Sequence, residues 1–227
     1  MSFLSFSLGG KKNKSSKNKS SLSSSSTTSL SNSKPLFLCQ PYVTHMIVKG
    51  NFKTIIELPK YVDVNEWLAY NTFEFFQYLN LFYGSLTDFC TSHTCPTMSA
   101  GAGVEYTWSD SQSKKIKLPA PQYIDYMTTN IENSLNDESI FPTKSGKDFP
   151  RDFGLIVRRI FQQLFRLFAH VYHHHFDKVL CLNEEPHFNS LFAHFISFAR
   201  EFDLLDFKKD TIPLQPLIDT MTRNQMI

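Results

Sequence analysis

Apolar residues return at steps of three and four along most of this chain, and that spacing constrains its fold more than any other feature. Between Pro150 and Leu180, Phe153, Val157, Ile160, Leu164, Phe168 and Val171 line up on one side of a helix. Residues 62–86 repeat the pattern with Ala69, Phe73, Phe76, Leu79, Tyr83 and Leu86, and they open on Asp63 and Glu66 in the arrangement of a capping box. Ile124, Met127, Ile131 and Leu135 give residues 121–137 an apolar side. Phe188, Leu191, Phe192, Phe195, Ala199 and Phe202 mark a fourth helix, and a short terminal one is expected over 214–222. The pattern changes between 104 and 118, where Val104, Tyr106 and Trp108 alternate with polar residues, as do Ile116 and Leu118 across a Ser/Asp/Gln turn. That alternation predicts a small hairpin. The expected fold class is therefore all-α, a helical bundle around a four-helix core with one minor β-hairpin.

Residues 1–34 read differently. They are mostly Ser, Lys, Asn and Gly, with little apolar surface to offset the entropy of ordering, so they are read as a disordered, solvated tail with phosphorylatable serines. Residues 35–227 then suit a single domain, which holds most of the 22 phenylalanines. The net charge is +2 and several lysines lie in the tail, which leaves no basic stripe for nucleic acid on the folded part. No apolar run reaches the length of a membrane span. The beginning lacks a secretory apolar region, and Ser2 stands where a myristoylation pattern needs glycine. An intracellular, reducing setting is the default, and there Cys39, Cys90, Cys95 and Cys181 are thiols or metal ligands rather than disulfides.

Two clusters carry metal-binding chemistry. Residues 169–177, "AHVYHHHFD", hold four of the eight histidines, namely His170, His173, His174 and His175. The stretch "DFCTSHTCPT" separates Cys90 and Cys95 by four residues, within the span from which thiolates grip one ion. Two cysteines and two histidines fill a tetrahedral zinc shell and leave no open position for hydrolysis. A zinc hydrolase also needs a general base near an open site; Glu184, Glu185 and His187 follow the cluster, but no H-E-x-x-H arrangement is present. Spacing does not choose the two histidines. His170 and His174 lie closest to one line, whereas His170 and His175 are about 140° apart on an ideal helix and meet one ion only near a helix end. His93, inside the cysteine loop, is a further candidate. Buried thiols beside a polar helix end explain the same residues without any metal.

Longer blocks resolve part of this. "KYVDVNEWLAYNTFEFF", "LNLFYGSLTDFCTSHTCPTMSAG", "EYTWSD", "PAPQYIDYM", "FPTK", "LFRLFAHVYHHHFDKV" and "PHFNSLFAHFISFAREFDLLD" occur in this order across about residues 35–220. Together they resemble the Mob/phocein family of kinase coactivators. The resemblance implies a Mob-type helical bundle with a structural zinc held by Cys90, Cys95, His170 and His175, leaving His173 and His174 as bystanders. It also implies a non-catalytic coactivator that binds the basic N-terminal region of an NDR/LATS-type Ser/Thr kinase as a heterodimer and promotes the kinase's active state.

A surface suited to such a partner is visible without the resemblance. Asp63, Glu66, Tyr70 and Glu74 follow one another at helical spacing, so that carboxylates flank an aromatic anchor for a basic amphipathic helix. An ordinary solvated helix face has the same pattern. Some Mob proteins also read phosphorylated peptides through two basic residues and the arginine of an "LFR" motif. Here Arg166 is present, but Gln162 and Gln163 occupy the two basic positions, and glutamine does not balance phosphate charge. Arg158 and Arg159 lie one turn earlier, so the expectation is at most a weak phosphate pocket from Arg158, Arg159 and Arg166. The glutamines, the "KGNFKTIIELPKYVD" opening and the serine-rich tail resemble the fungal branch that pairs with NDR-type kinases in cell polarity, morphogenesis and cell separation. They are less like the phosphopeptide-binding signalling adaptor of the mitotic-exit and Hippo branch, which stays the alternative. The expected locations are the cytoplasm, the nucleus and sites of polarised growth.

Overall fold

In a computed structural model the described residues are 34–50, 52–109 and 112–227. The expected tail lies outside them apart from Lys34. Seven α-helices occur among the described residues: α1 (Phe52–Ile56), α2 (Val64–Gly84), α3 (Ala120–Leu135), α4 (Phe153–His174), α5 (Phe176–Cys181), α6 (Glu185–Glu201) and α7 (Gln215–Arg223). One antiparallel pair of short strands, β1 (Trp108–Ser109) and β2 (Lys115–Ile116), is added to them. The architecture is the all-α bundle with a minor β element that the spacing predicts. No helix among the described residues is long and apolar enough to cross a membrane.

The core is built on α4. Its first half buries one stripe, Phe153, Val157, Ile160, Phe161, Leu164 and Phe165, while Leu167 through Tyr172 are buried on every side. A helix apolar all round must be covered all round, and α2, α3 and, through its phenylalanines, α6 cover it. Phe161 stacks on Phe195 of α6 at 4.9 Å, and Phe75 of α2 meets Phe195 edge-on at 5.4 Å. Such aromatic pairs contribute about 0.5–1.5 kcal/mol each beyond the area they bury.

Three details differ from the periodic reading. On α2 the buried apolar positions are Leu68, Phe75, Phe76, Leu79 and Tyr83, whereas Phe73 is 44% exposed and Ala69 only half-buried. The run from Pro150 to Leu180 is two helices, because the backbone leaves helical geometry at His175 (φ −132°, ψ 8°). The hairpin is shorter than expected, pairing Trp108 with Ile116 and Ser109 with Lys115. Val104 and Tyr106 instead pair back onto the chain after Cys95, through Ala100 N–H to Val104 O (2.9 Å) and Tyr106 N–H to Met98 O (2.8 Å).

The segment before α1, with two short 3-10 turns at Leu36–Leu38 and Tyr42–Thr44, has no helical periodicity and is tied to α6 by side chains. Asn189 of α6 donates to the carbonyls of Tyr42 (2.8 Å) and His45 (2.9 Å) and accepts from the Tyr172 hydroxyl (2.9 Å). Ser190 Oγ accepts from Ile47 N (3.0 Å) and Val48 N (3.2 Å). Two residues of one helix thus fix an otherwise irregular strap.

Candidate metal centre and interaction surface

Cys90 and Cys95 lie in the turns that follow α2, His170 lies on the last turn of α4, and His175 is the residue at which α4 ends. Their ligand atoms all fall within 4.8 Å of one another, and all four residues are buried. Cys90 Sγ is 3.5 Å from His170 Nε2, and Cys95 Sγ is 3.5 Å from His175 Nε2. The break at His175 makes this possible. On an unbroken helix the two rings point about 140° apart; bending the backbone at the second one turns it to the same spot.

The two imidazoles are in the state that a cation requires. His170 Nδ1 lies 2.8 Å from the Ser99 carbonyl, and a carbonyl only accepts, so Nδ1 carries the proton and Nε2 presents its lone pair toward Cys90. Burial disfavours the imidazolium form of both rings and holds their pKa values down, to about 3 for His170 and about 4 for His175. Burial pushes the Cys90 thiol up to about 12, against a smaller lowering by the Tyr83 hydroxyl bonded to it. Without a cation Cys90 therefore stays a thiol, and a bound metal ion would displace its proton. Two neutral imidazoles and two buried sulfurs fit a metal ion, and the buried set is complete with four donors. His93, the other candidate, is exposed, and His174 Nε2 is 3.0 Å from Ser99 Oγ instead.

The second candidate surface runs along α2. Asp63 caps the helix, accepting from Asn65 N at 2.8 Å and Glu66 N at 3.4 Å. Asp63, Glu66 and Tyr70 are exposed, and Glu74 is half-buried. With Phe73, Tyr78 and Leu81, also exposed, they fall within an arc of about 140° on an ideal helix. The Tyr70 ring stacks on Trp67 at 6.2 Å, which stiffens it. Beside this arc lies a groove of about 580 Å³, walled by Glu66, Tyr70 and Phe73 on one side and by Leu135 and residues 141–147 on the other. The opposite wall is invisible to helical periodicity because it is a loop; "FPTK" within it is the one trace it leaves in the sequence.

The arginines of α4 are already engaged at two positions. Arg158 forms an ion pair with Asp203 at 2.6 Å and also donates to the Asp203 carbonyl. Arg166 donates to the Tyr123 hydroxyl at 2.7 Å and lies over the Tyr106 ring. Gln162 donates to Asp210 at 3.0 Å, which brings a carboxylate into this region, and Arg159 is exposed.

Comparison with known proteins follows the same blocks. Residues 44–214 match the model of the Mob1/phocein family. The chain is 50% identical over 192 residues to the CBK1 kinase activator protein MOB2 of Saccharomyces cerevisiae, covering 85% of this chain and 67% of that one. It is 54% identical over 183 residues to the maintenance of ploidy protein mob2 of Schizosaccharomyces pombe, covering 81% and 75%. With the CBK1 kinase activator protein MOB2 of Candida albicans the identity is 51% over 193 residues, covering 85% of this chain and 61% of that one.

Proposed function

The chain belongs to the Mob1/phocein family, and from that premise we propose that it is a non-catalytic activating subunit of a protein kinase, the role for which its relatives are named. More specifically, it binds the basic N-terminal regulatory region of an NDR/LATS-type Ser/Thr kinase as a heterodimer and favours the kinase's active state. The cell functions read for it are polarity, morphogenesis and cell separation.

The observation that carries the finer reading is the exposed arc of α2 with its groove. Asp63, Glu66 and Glu74 supply negative charge around Tyr70, and Phe73 and the groove supply apolar contact. A basic amphipathic helix needs both. A phosphopeptide, by contrast, needs unpaired cations, and Arg158 is taken by Asp203 while Gln162 is held by Asp210. The four buried donors are read as a structural zinc site, since two thiolates with two imidazoles suit a four-coordinate, borderline-soft ion. Bound there, zinc supplies a cross-link between the turns after α2 and the end of α4.

Calorimetric titration of the protein with the basic N-terminal segment of an NDR-type kinase, at low and high salt, tests the reading, with a phosphothreonine peptide run alongside. Salt-sensitive binding of the kinase segment with little response to the phosphopeptide supports it. Binding of the phosphopeptide alone would overturn it in favour of the adaptor role.

A further inference from the structure

His173 and His174 are not among the four clustered donors, yet each is fixed against a defined partner. His174 Nε2 is 3.0 Å from Ser99 Oγ, and the same Ser99 offers its carbonyl to His170 Nδ1 at 2.8 Å. The His170 and His174 rings lie side by side with centroids 4.8 Å apart. His173 Nε2 donates to the Pro213 carbonyl at 2.9 Å, and its ring sits where a side chain on Gly101 would begin: a Cβ there would be 2.7 Å from His173 Nδ1. Gly101 also has φ +73°, a conformation that favours glycine. The short segment 99–101 is therefore clamped by two histidines and orients a third.

We propose that His174 and Ser99 are positioning residues of the metal centre, bracing the carbonyl that holds His170 as an Nε2 donor. The inference rests on reading Cys90, Cys95, His170 and His175 as metal ligands. Its physical basis is that a ligating imidazole needs its second nitrogen fixed, both to select the tautomer and to aim the ring. The Ser99 backbone is held on both sides, by Met98 N–H to Leu118 O (2.9 Å) and Ala100 N–H to Val104 O (2.9 Å), so what remains adjustable is how closely the loop lies on α4. The Ser99 hydroxyl and His174 set that distance.

The test uses the full-length, zinc-loaded protein and measures the rate of zinc release to a chromogenic chelator. His174→Phe keeps the ring volume and removes the hydrogen bond; Ser99→Ala removes the hydroxyl alone; Ser99→Thr restores it. His194→Ala, at a half-buried ring packed on Phe52 and Phe75 rather than on the cluster, controls for general destabilisation. Loss of such partners commonly weakens metal binding about 10–100-fold. Release is expected to be roughly tenfold faster in His174→Phe and Ser99→Ala, near the original rate in Ser99→Thr, and unchanged in His194→Ala. Long-range ¹H–¹⁵N correlation should find His170 protonated at Nδ1 and metal-bound at Nε2 in the unmodified protein. Original release rates in both brace variants would overturn the proposal, as would equal acceleration in His194→Ala or binding of the metal through His170 Nδ1. Should the purified protein take up no zinc at all, the metal reading fails first, and the brace with it.

Discussion

His194 is packed between Phe52, stacked at 5.8 Å, and Phe75, edge-on at 4.8 Å, with its Nε2 buried and without a hydrogen-bond partner. Burial holds its pKa down to about 4. The neutral ring is the folded form, while the unfolded chain takes up a proton near the ordinary value of 6.5. Stability from this residue is thus complete above about pH 6.5 and is lost as pH falls toward 4, by at most about 3 kcal/mol. His194→Phe should flatten that part of the profile. Denaturant midpoints of the two proteins compared at pH 7.5 and pH 5 measure it, and an identical acid shift in both would remove His194 from the explanation. The carboxylates of α2 enter the proposed function differently, as groups that would act on a partner. Glu74→Lys is expected to weaken binding of the basic kinase segment by about tenfold at low salt, roughly 1.4 kcal/mol, and by less at high salt. The melting temperature should stay unchanged, because Glu74 makes no ion pair among the described residues. Equal affinity at both salt concentrations would take it out of the interface.

Among the elements, α2 shows where periodicity runs out. Phe73, Phe75, Phe76 and Tyr78 put four aromatics in six positions, so a 3.6-residue repeat fits more than one face. What chooses Phe75 over Phe73 is tertiary: the helix must meet Phe161 and Phe195 of α4 and α6. The α4–α5 break was equally hidden, because His175 is neither proline nor glycine and the apolar stripe continues through Val179. Yet the four donors were within reach of spacing plus family resemblance, since His170 and His175 meet one ion only near a helix end. The strap before α1 left no periodic trace because backbone-to-side-chain bonds hold it. That gives it a specific weak point. Asn189→Ala would leave the buried Tyr172 hydroxyl and the His45 carbonyl without these partners, while the Tyr42 carbonyl keeps the His45 N–H, which should cost about 1–3 kcal/mol. A urea midpoint that falls with unchanged slope, together with faster amide exchange over residues 42–48, is the expected result; an unmoved midpoint would mean that the strap is held by its apolar contacts, Phe37 and Val43, alone.

At the scale of the whole molecule, stability has two sources that chelation should separate. The aromatic cluster of α2, α4 and α6 depends on burial and needs no ion. The segment from Cys90 to Leu118 is different: among its described residues it has short strands, a few cross-chain hydrogen bonds, and attachments to α4 through the four donors, Ser99, Gly101 against His173 and Tyr106 under Arg166. Structural zinc sites of this composition bind with apparent free energies of about 10 kcal/mol or more, and only part of that is felt as stability, because the buried thiols regain their protons when the ion leaves. A loss of about 5 kcal/mol, at about 2–4 °C per kcal/mol for a domain of this size, is a fall in melting temperature of roughly 10–20 °C. The loss should also be local at first. Amides of Met98, Ala100 and Tyr106, which bond to Leu118, Val104 and Met98, are expected to lose exchange protection in the chelated protein at 25 °C. Those of Phe192, Phe195 and Phe198, in the middle of α6, should keep theirs. Simultaneous loss at both places would make the ion a condition for folding the entire bundle rather than a staple on one segment of it. An unchanged melting temperature after complete removal of metal would mean that the four buried donors hold their places by packing alone.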